Sequence, residues 1–387
     1  LYVIFMSLGL HIYDNYLMFI FEQAFLVTLF VYFVNKNLGG KKTLILFLLF
    51  IFYIGIFHMT YNFFTLFFLI IIYYLEKNYS SKDYLIGFII GFSILSKHVI
   101  GCMLLIPMVI ICFRNRCKLF KRFVGVFIPC FIFLIYLVIN KSLYSFINLC
   151  FLGLFDFSSN NSRPSGVLFY LSILIVIIFI YYIIRHKDKK YLYYLPCSFF
   201  FAYPIFDQHH FSYLLFIFLF FLLDNYNRKD IKKNKITYVF IVLFIFNILF
   251  FISILSLEKN VIKCDSKRFS LFYTNKPLCN TLREKKKVLD KYCVNSKCII
   301  IDDYGIVYNT SRDADLSYFD VTFYGNLGYD GTNMMIKKID SLKNNYFVIG
   351  TFCLNDGKYG QHNKEVIDYI IKNKTYVGKD YDFIVYK

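Results

Sequence analysis

Two short polar clusters lie between apolar runs of the sequence, and both combine residue types that handle anions. The first is Ser96-Lys97-His98; the second is Tyr203-Pro204-Ile205-Phe206-Asp207-Gln208-His209-His210-Phe211. An ammonium group at the end of an apolar helix can hold a phosphate at a membrane surface, or it can simply extend its stem and place its charge in the headgroup layer. One carboxylate and two imidazoles in sequence suit a pyrophosphate, a metal or a sugar, and equally suit an interfacial turn. Adjacent histidines point in different directions on a helix, so one shared metal does not account for both. A third polar turn, His58-Met59-Thr60-Tyr61-Asn62, is a weaker candidate for which a structural role is the simpler one.

Elsewhere candidate groups are sparse. Asp156 is an acid embedded among aromatic residues, and Arg163, in the polar stretch nearby, could pair with it or with a lipid phosphate. Asp14 precedes an apolar run, and Glu22 lies inside one, where helix packing is the simpler role. Asp302-Asp303 closes an apolar stretch and reads as a solvated strand end. The eleven cysteines form no Cys-x-x-Cys pair, which argues against a zinc knuckle and leaves one or two disulfides open for Cys264, Cys279, Cys293, Cys298 and Cys353. No metal site is assigned, and a divalent cation is the one cofactor left open.

The elements that must position these groups are apolar. Of 387 residues, 58% are hydrophobic, including 49 Phe and 35 Tyr. Runs such as Tyr16 to Val34, Phe63 to Leu75, Tyr84 to Leu95, Val99 to Phe113, Phe123 to Ile139, Gly166 to Ile184 and Ile236 to Leu255 predict about ten membrane spans. Several are short, and Thr43 to Leu75 and Tyr84 to Phe113 suit tight helical hairpins. The net charge of +18 would suggest nucleic acid in a soluble protein. Here the cations cluster instead in alternate loops, at Lys36 to Lys42, Lys77 to Lys82, Arg114 to Arg122, Arg185 to Lys190 and Arg228 to Lys235. Lys and Arg collect in cytoplasmic loops, so the intervening turns, with Lys97, Lys141 and Arg163, face outside. The expectation is a multi-pass plasma-membrane protein: residues 1–257 spanning, and residues 258–387 an extracytoplasmic domain.

In the loop from Asn140, Leu143 to Phe157 is apolar and aromatic and predicts a helix lying in the membrane interface. In the tail, Lys297 to Ile301, Tyr346 to Ile349 and Phe383 to Tyr386 read as strands, with helices at Asn333 to Lys343 and Asn363 to Lys372. That order predicts a small α/β domain with partly parallel pairing, and no phosphate-binding glycine loop follows any strand.

The stretch from Tyr61-Asn62-Phe63-Phe64-Thr65-Leu66 through Gly87, Ser96-Lys97 and Pro107 resembles the multi-spanning GT-C glycosyltransferases, and within them family 39, the protein-mannosyltransferase-like branch. Asp207-Gln208-His209-His210-Phe211 and the ending Val377-Gly378 to Phe383-Ile384-Val385-Tyr386 are similar to that family's late outer turn and C-terminal domain. The resemblance implies transfer of a sugar from a polyprenyl-phosphate donor in the membrane to a glycan, lipid or protein acceptor outside the cytoplasm. It also implies a catalytic acid in the first outer loop. The chain opens on Leu1 inside an apolar run, so that loop is expected upstream and the catalytic residue has no number here. On this reading Lys97, His209, His210 and Arg163 hold the donor phosphate, while Tyr61, Asn62 and Asp207 line the cavity. Two other classes fit the same residues: a transporter, flippase or polymerase component for lipid-linked glycans, and a membrane-anchored binding module.

Overall fold

A computed structural model describes residues 16–44, 46, 61–115, 118–153, 167–185, 194–202, 208–225, 261–263, 273–293, 298–302, 328–342, 344–354 and 363–387. The protein is mostly helical with a small sheet, and it divides into two compact units. The first comprises Leu1–Asn140 and Ser162–Leu257; the second joins Lys141–Asn161 to Glu258–Lys387.

The first unit is a helical bundle: α1 (Tyr16–Leu38), α2 (Tyr61–Asn78), α3 (Asp83–Ser96), α4 (His98–Met103), α5 (Leu105–Asn115), α6 (Leu119–Ile139), α8 (Val167–Arg185), α9 (Leu195–Ala202) and α10 (Gln208–Asn225). Helix α7 (Leu143–Ile147) belongs to the second unit and runs on through a π-turn at Asn148–Leu152. Phe30 of α1 packs on Phe63 of α2 at 5.2 Å and on Phe216 of α10 at 5.7 Å, so three helices share one aromatic centre. Among the described residues one helix, α6, is long and apolar enough to cross a membrane, with a mean hydropathy of 2.5 over its best stretch. Its 21 residues make about 32 Å, whereas the 14 residues of α3 make about 21 Å.

Glycines set the tightest crossing. A Cβ on Gly87 of α3 would overlap the backbone carbonyl of Arg122, and one on Gly91 would meet Pro129 of α6. Gly125 of α6 lies as closely against the Tyr84 carbonyl. The Gly87-x-x-x-Gly91 spacing places both glycines on one face of α3, which lets the two backbones approach. At Lys97 the helix breaks, with extended backbone (φ −147°, ψ 95°) between α3 and α4. Gly101 then packs against the Ile94 backbone, so α4 folds back on α3 at the turn expected for Ser96 to His98.

The tail of the second unit has a four-stranded sheet ordered β3-β4-β6-β5 (β3 Cys298–Ile301, β4 Tyr346–Gly350, β5 Tyr376–Asp380, β6 Phe383–Tyr386). The β3–β4 pair is parallel, and β4–β6 and β5–β6 are antiparallel. A short antiparallel ribbon, β1 (Val261–Lys263) with β2 (Tyr273–Asn275), precedes it. Alternation along the strands sends Ile299, Ile301, Phe347 and Ile349 to one face, against Met335 and Ile339 of α12 (Gly331–Ser341) and Val366, Ile367 and Ile370 of α13 (Lys364–Asn373). Ile300, Val348, Phe383 and Val385 face Val288 and Leu289 of α11 (Lys276–Cys293). The result is three layers. Strand β5 and helix α11 were not expected from the sequence: α11 carries a run of charge, and its apolar residues emerge only at helical spacing. Cys293 and Cys298 form a disulfide between α11 and β3, and Cys279 is also disulfide-bonded.

Asp302 corrects the sequence reading. Instead of a solvated strand end it is buried, and Lys285 of α11 donates to its two carboxylate oxygens at 2.9 and 3.0 Å. The same ammonium lies 5.1 Å from the Phe383 ring centroid. Removing one member strands the other charge, at a cost of ~3–5 kcal/mol, whereas replacing both with apolar groups is close to neutral. Lys285→Met should therefore lower the protease resistance of the tail in the full-length protein, and Lys285→Met with Asp302→Leu should restore most of it. Equal damage from single and double variants would refute this account.

Candidate functional site

The helices of the first unit have polar ends of different kinds. At one end Arg122, wholly buried at the start of α6, donates through Nε to Asp83 of α3 at 2.9 Å. Its terminal nitrogens reach both oxygens of Glu76 of α2 and the Ser80 carbonyl. Beside them Lys77 donates to Asp224 of α10 at 2.7 Å, and the Tyr73 hydroxyl donates to the same carboxylate at 2.6 Å. Arg122 had been grouped from the sequence with the basic loop cations, and Glu76, Asp83 and Asp224 were not singled out. Glu76 and Asp83 adjoin Lys77 and Lys82, and Asp224 precedes the cluster that begins at Arg228 by four residues, so the sequence signal was an acid at a helix end beside a basic loop.

These pairs fix helix directions. Arg122 joins the C-terminal end of α2 to the N-terminal start of α3, so α2 and α3 are antiparallel. Lys77–Asp224 joins the C-terminal ends of α2 and α10, and Tyr73 packs on Phe220 and Phe221 at 5.6 and 5.3 Å, so those two helices run the same way. Helix α9 runs back along α10, with Tyr194 near Phe221 and Phe201 stacked on Tyr213. The first turns of α2 and α10 and the last turn of α3 consequently share the opposite end of the bundle.

That end holds the sequence-predicted residues. Lys97 donates through Nζ to Asn62 Oδ1 at 2.8 Å, linking the break after α3 to the first turn of α2. Asn62 is buried, Thr65 lies buried one turn further along the same face, and His98 is half-buried beside the break. His210 is buried in the first turn of α10. Tyr61 opens α2 and His209 lies in α10, but their side chains are outside the described residues, as are Asp207, Arg163, Asp14 and Asp156. Lys97, Asn62 and His210 are thus gathered at one level of the bundle. An ammonium that donates to an amide oxygen is a residue type that also suits anionic oxygen ligands such as phosphate. Among the described residues no group of three His, Cys, Asp or Glu is arranged to hold a metal ion.

Comparison of the chain with protein-family models, with curated proteins and with solved structures finds no match.

The opposite end makes a stability prediction. Arg122→Leu leaves Glu76 and Asp83 buried without their cation and should cost ~3–5 kcal/mol. Adding Glu76→Gln and Asp83→Asn to that variant should recover much of the loss. The check is the temperature at which the detergent-solubilised protein ceases to elute as a single species, and a wild-type value for Arg122→Leu alone would contradict the assignment.

Proposed function

We propose that this chain is a multi-pass membrane glycosyltransferase that moves a sugar from a polyprenyl-phosphate donor to a glycan, lipid or protein acceptor on the extracytoplasmic side. The observation that carries the reading is the Lys97–Asn62 bond at the break after α3, with His210 at the same end of the bundle. The acidic partners Glu76, Asp83 and Asp224 all lie at the other end. An ammonium and an imidazole at one end of the bundle are residue types that hold phosphate oxygens. The apolar α6, with Phe127, Phe131 and Ile132 exposed, supports membrane embedding. The Cys293–Cys298 disulfide supports an oxidising compartment for the tail.

In the proposed reaction an acceptor hydroxyl attacks the anomeric carbon. A carbon–oxygen bond forms to the acceptor, the bond to the phosphate oxygen breaks, and polyprenyl phosphate leaves with the electron pair. Lys97 stabilises the charge that grows on the departing phosphate; His210 donates to a phosphate oxygen; Asn62 aims the Lys97 ammonium. The general base that takes the hydroxyl proton has no assigned residue. Arg163, His209, Asp207 and Tyr61 remain donor-side and cavity candidates. A divalent cation is an optional cofactor. A transporter for lipid-linked glycans would call for ionisable groups at mid-membrane, whereas the described ion pairs of the bundle sit at helix ends.

Lys97→Ala should lower transfer from a polyprenyl-phosphate sugar by roughly 10²-fold or more, the usual loss when one charge-stabilising donor is removed. His210→Ala should lower it as well, with both variants still inserted in the membrane. Undiminished transfer by Lys97→Ala in full-length protein would sink the proposal.

A further inference from the structure

The segment from Leu143 to Gly153 reverses the ordinary relation of burial to polarity. Its two buried residues are Asn148 and Gly153, whereas Tyr144, Ile147, Leu149, Phe151 and Leu152 are all exposed. A water-facing helix buries its apolar side chains and exposes its polar ones. Tyr144 is 68% exposed and Leu149 47%, and the tail residue Tyr329 adds another 68% exposed ring. No charged residue occurs between Leu143 and Gly153; the nearest is the exposed Lys141 just before them.

The one polar side chain that the segment buries serves as a latch to the tail. Asn148 Oδ1 accepts from the Tyr329 backbone N–H at 2.9 Å. Gly328 (φ +81°) lies so close that a Cβ there would meet the Asn148 amide at 2.7 Å, and a Cβ on Gly153 would meet the Gly328 backbone at 2.8 Å. Both the positive φ and the close approach require glycine at position 328. The latch ties the backbone at Tyr329 to Asn148, the residue between the exposed Ile147 and Leu149.

We infer that this surface, formed by Tyr144, Ile147, Leu149, Phe151, Leu152 and Tyr329, seats on the headgroup–acyl boundary of the bilayer and that the Asn148–Tyr329 latch binds the tail domain to it. The inference rests on the membrane reading above and goes beyond it by making this patch a lipid-binding surface of the tail. Lipid is favoured over a protein partner on two grounds. The chain enters the segment from α6, the helix apolar enough to lie in a membrane, with only Asn140, Lys141 and Ser142 between them. The six patch residues are uncharged; of the charges beside them, Lys141 suits lipid phosphates, and Asp330 is taken up as the N-cap of α12, where Asn333 donates to it.

The protein has no tryptophan, so a single introduced indole reports on one place. Leu149→Trp, Tyr329→Trp and, as a control in α6, Phe131→Trp are reconstituted as full-length protein in phosphatidylcholine vesicles, with lipids brominated near the headgroup or near the chain ends. The inference expects blue-shifted emission from positions 149 and 329, quenched by shallow bromines and protected from aqueous iodide. Position 131 should be quenched by deep bromines. Adding Asn148→Ala should shift the Tyr329→Trp emission to the red while leaving Leu149→Trp unchanged. Iodide quenching at 149 and 329 with lipid quenching intact at 131 overturns the inference and leaves the membrane reading standing. Absence of lipid quenching at 131 as well overturns both. Protection at 149 and 329 from both quenchers, growing with protein-to-lipid ratio, assigns the patch to a second copy and also overturns it.

Discussion

The helical unit depends on a desolvated cation. Arg122 has no exposed surface, and its guanidinium is shared between Glu76 and Asp83 on two different helices. Burying such a charge is costly unless its donors are all occupied, and the planar five-donor fork can be satisfied only if the ends of α2 and α3 arrive together. The cluster thus specifies an arrangement more than it adds net stability. The glycine-lined crossing of α3 and α6 is its complement, since Gly87 and Gly125 bring the Arg122 backbone close enough for the side chain to reach both acids.

Helix directions established at that end decide what meets at the other. With α2 and α10 parallel and α3 antiparallel to both, Asn62, Lys97 and His210 come to one level although they are far apart in the chain. The break at Lys97 ends α3 at this level, where Lys97 reaches Asn62. Gly101 permits α4 to fold back closely enough for the break to be a tight turn. The chemistry proposed for these residues therefore depends on the packing of apolar helices and on ion pairs at the far end of the bundle.

The tail is organised by ordinary aqueous logic. Its sheet is covered on both faces, and a buried ion pair, Lys285–Asp302, joins α11 to the end of β3. The segment Leu143 to Gly153 departs from that logic, with its apolar residues outward. Both behaviours occur within one compact unit.

Much of this was legible in the chain. Apolar runs and their basic punctuation marked the helices, alternation marked β3, β4 and β6, and the turn at Ser96 to His98 was visible as three small or polar residues between apolar runs. Residue type also marked Lys97, Asn62 and His210 as candidates, since polar groups are few among so many Phe and Ile. What the chain did not disclose were the pairings. Arg122 looks like any loop cation, Asp302 like any strand end and Asn148 like any amide in an interfacial helix, because burial is a property of what packs against a residue and not of its neighbours in sequence. The sequence by itself marked the apolar helices and the strands β3, β4 and β6, which follow from local periodicity and hydropathy, but not α11, β1, β2 or β5. Only the tertiary structure decided which charges are shared and which ends coincide, because those depend on contacts between segments whose separation along the chain carries no information about their distance in space.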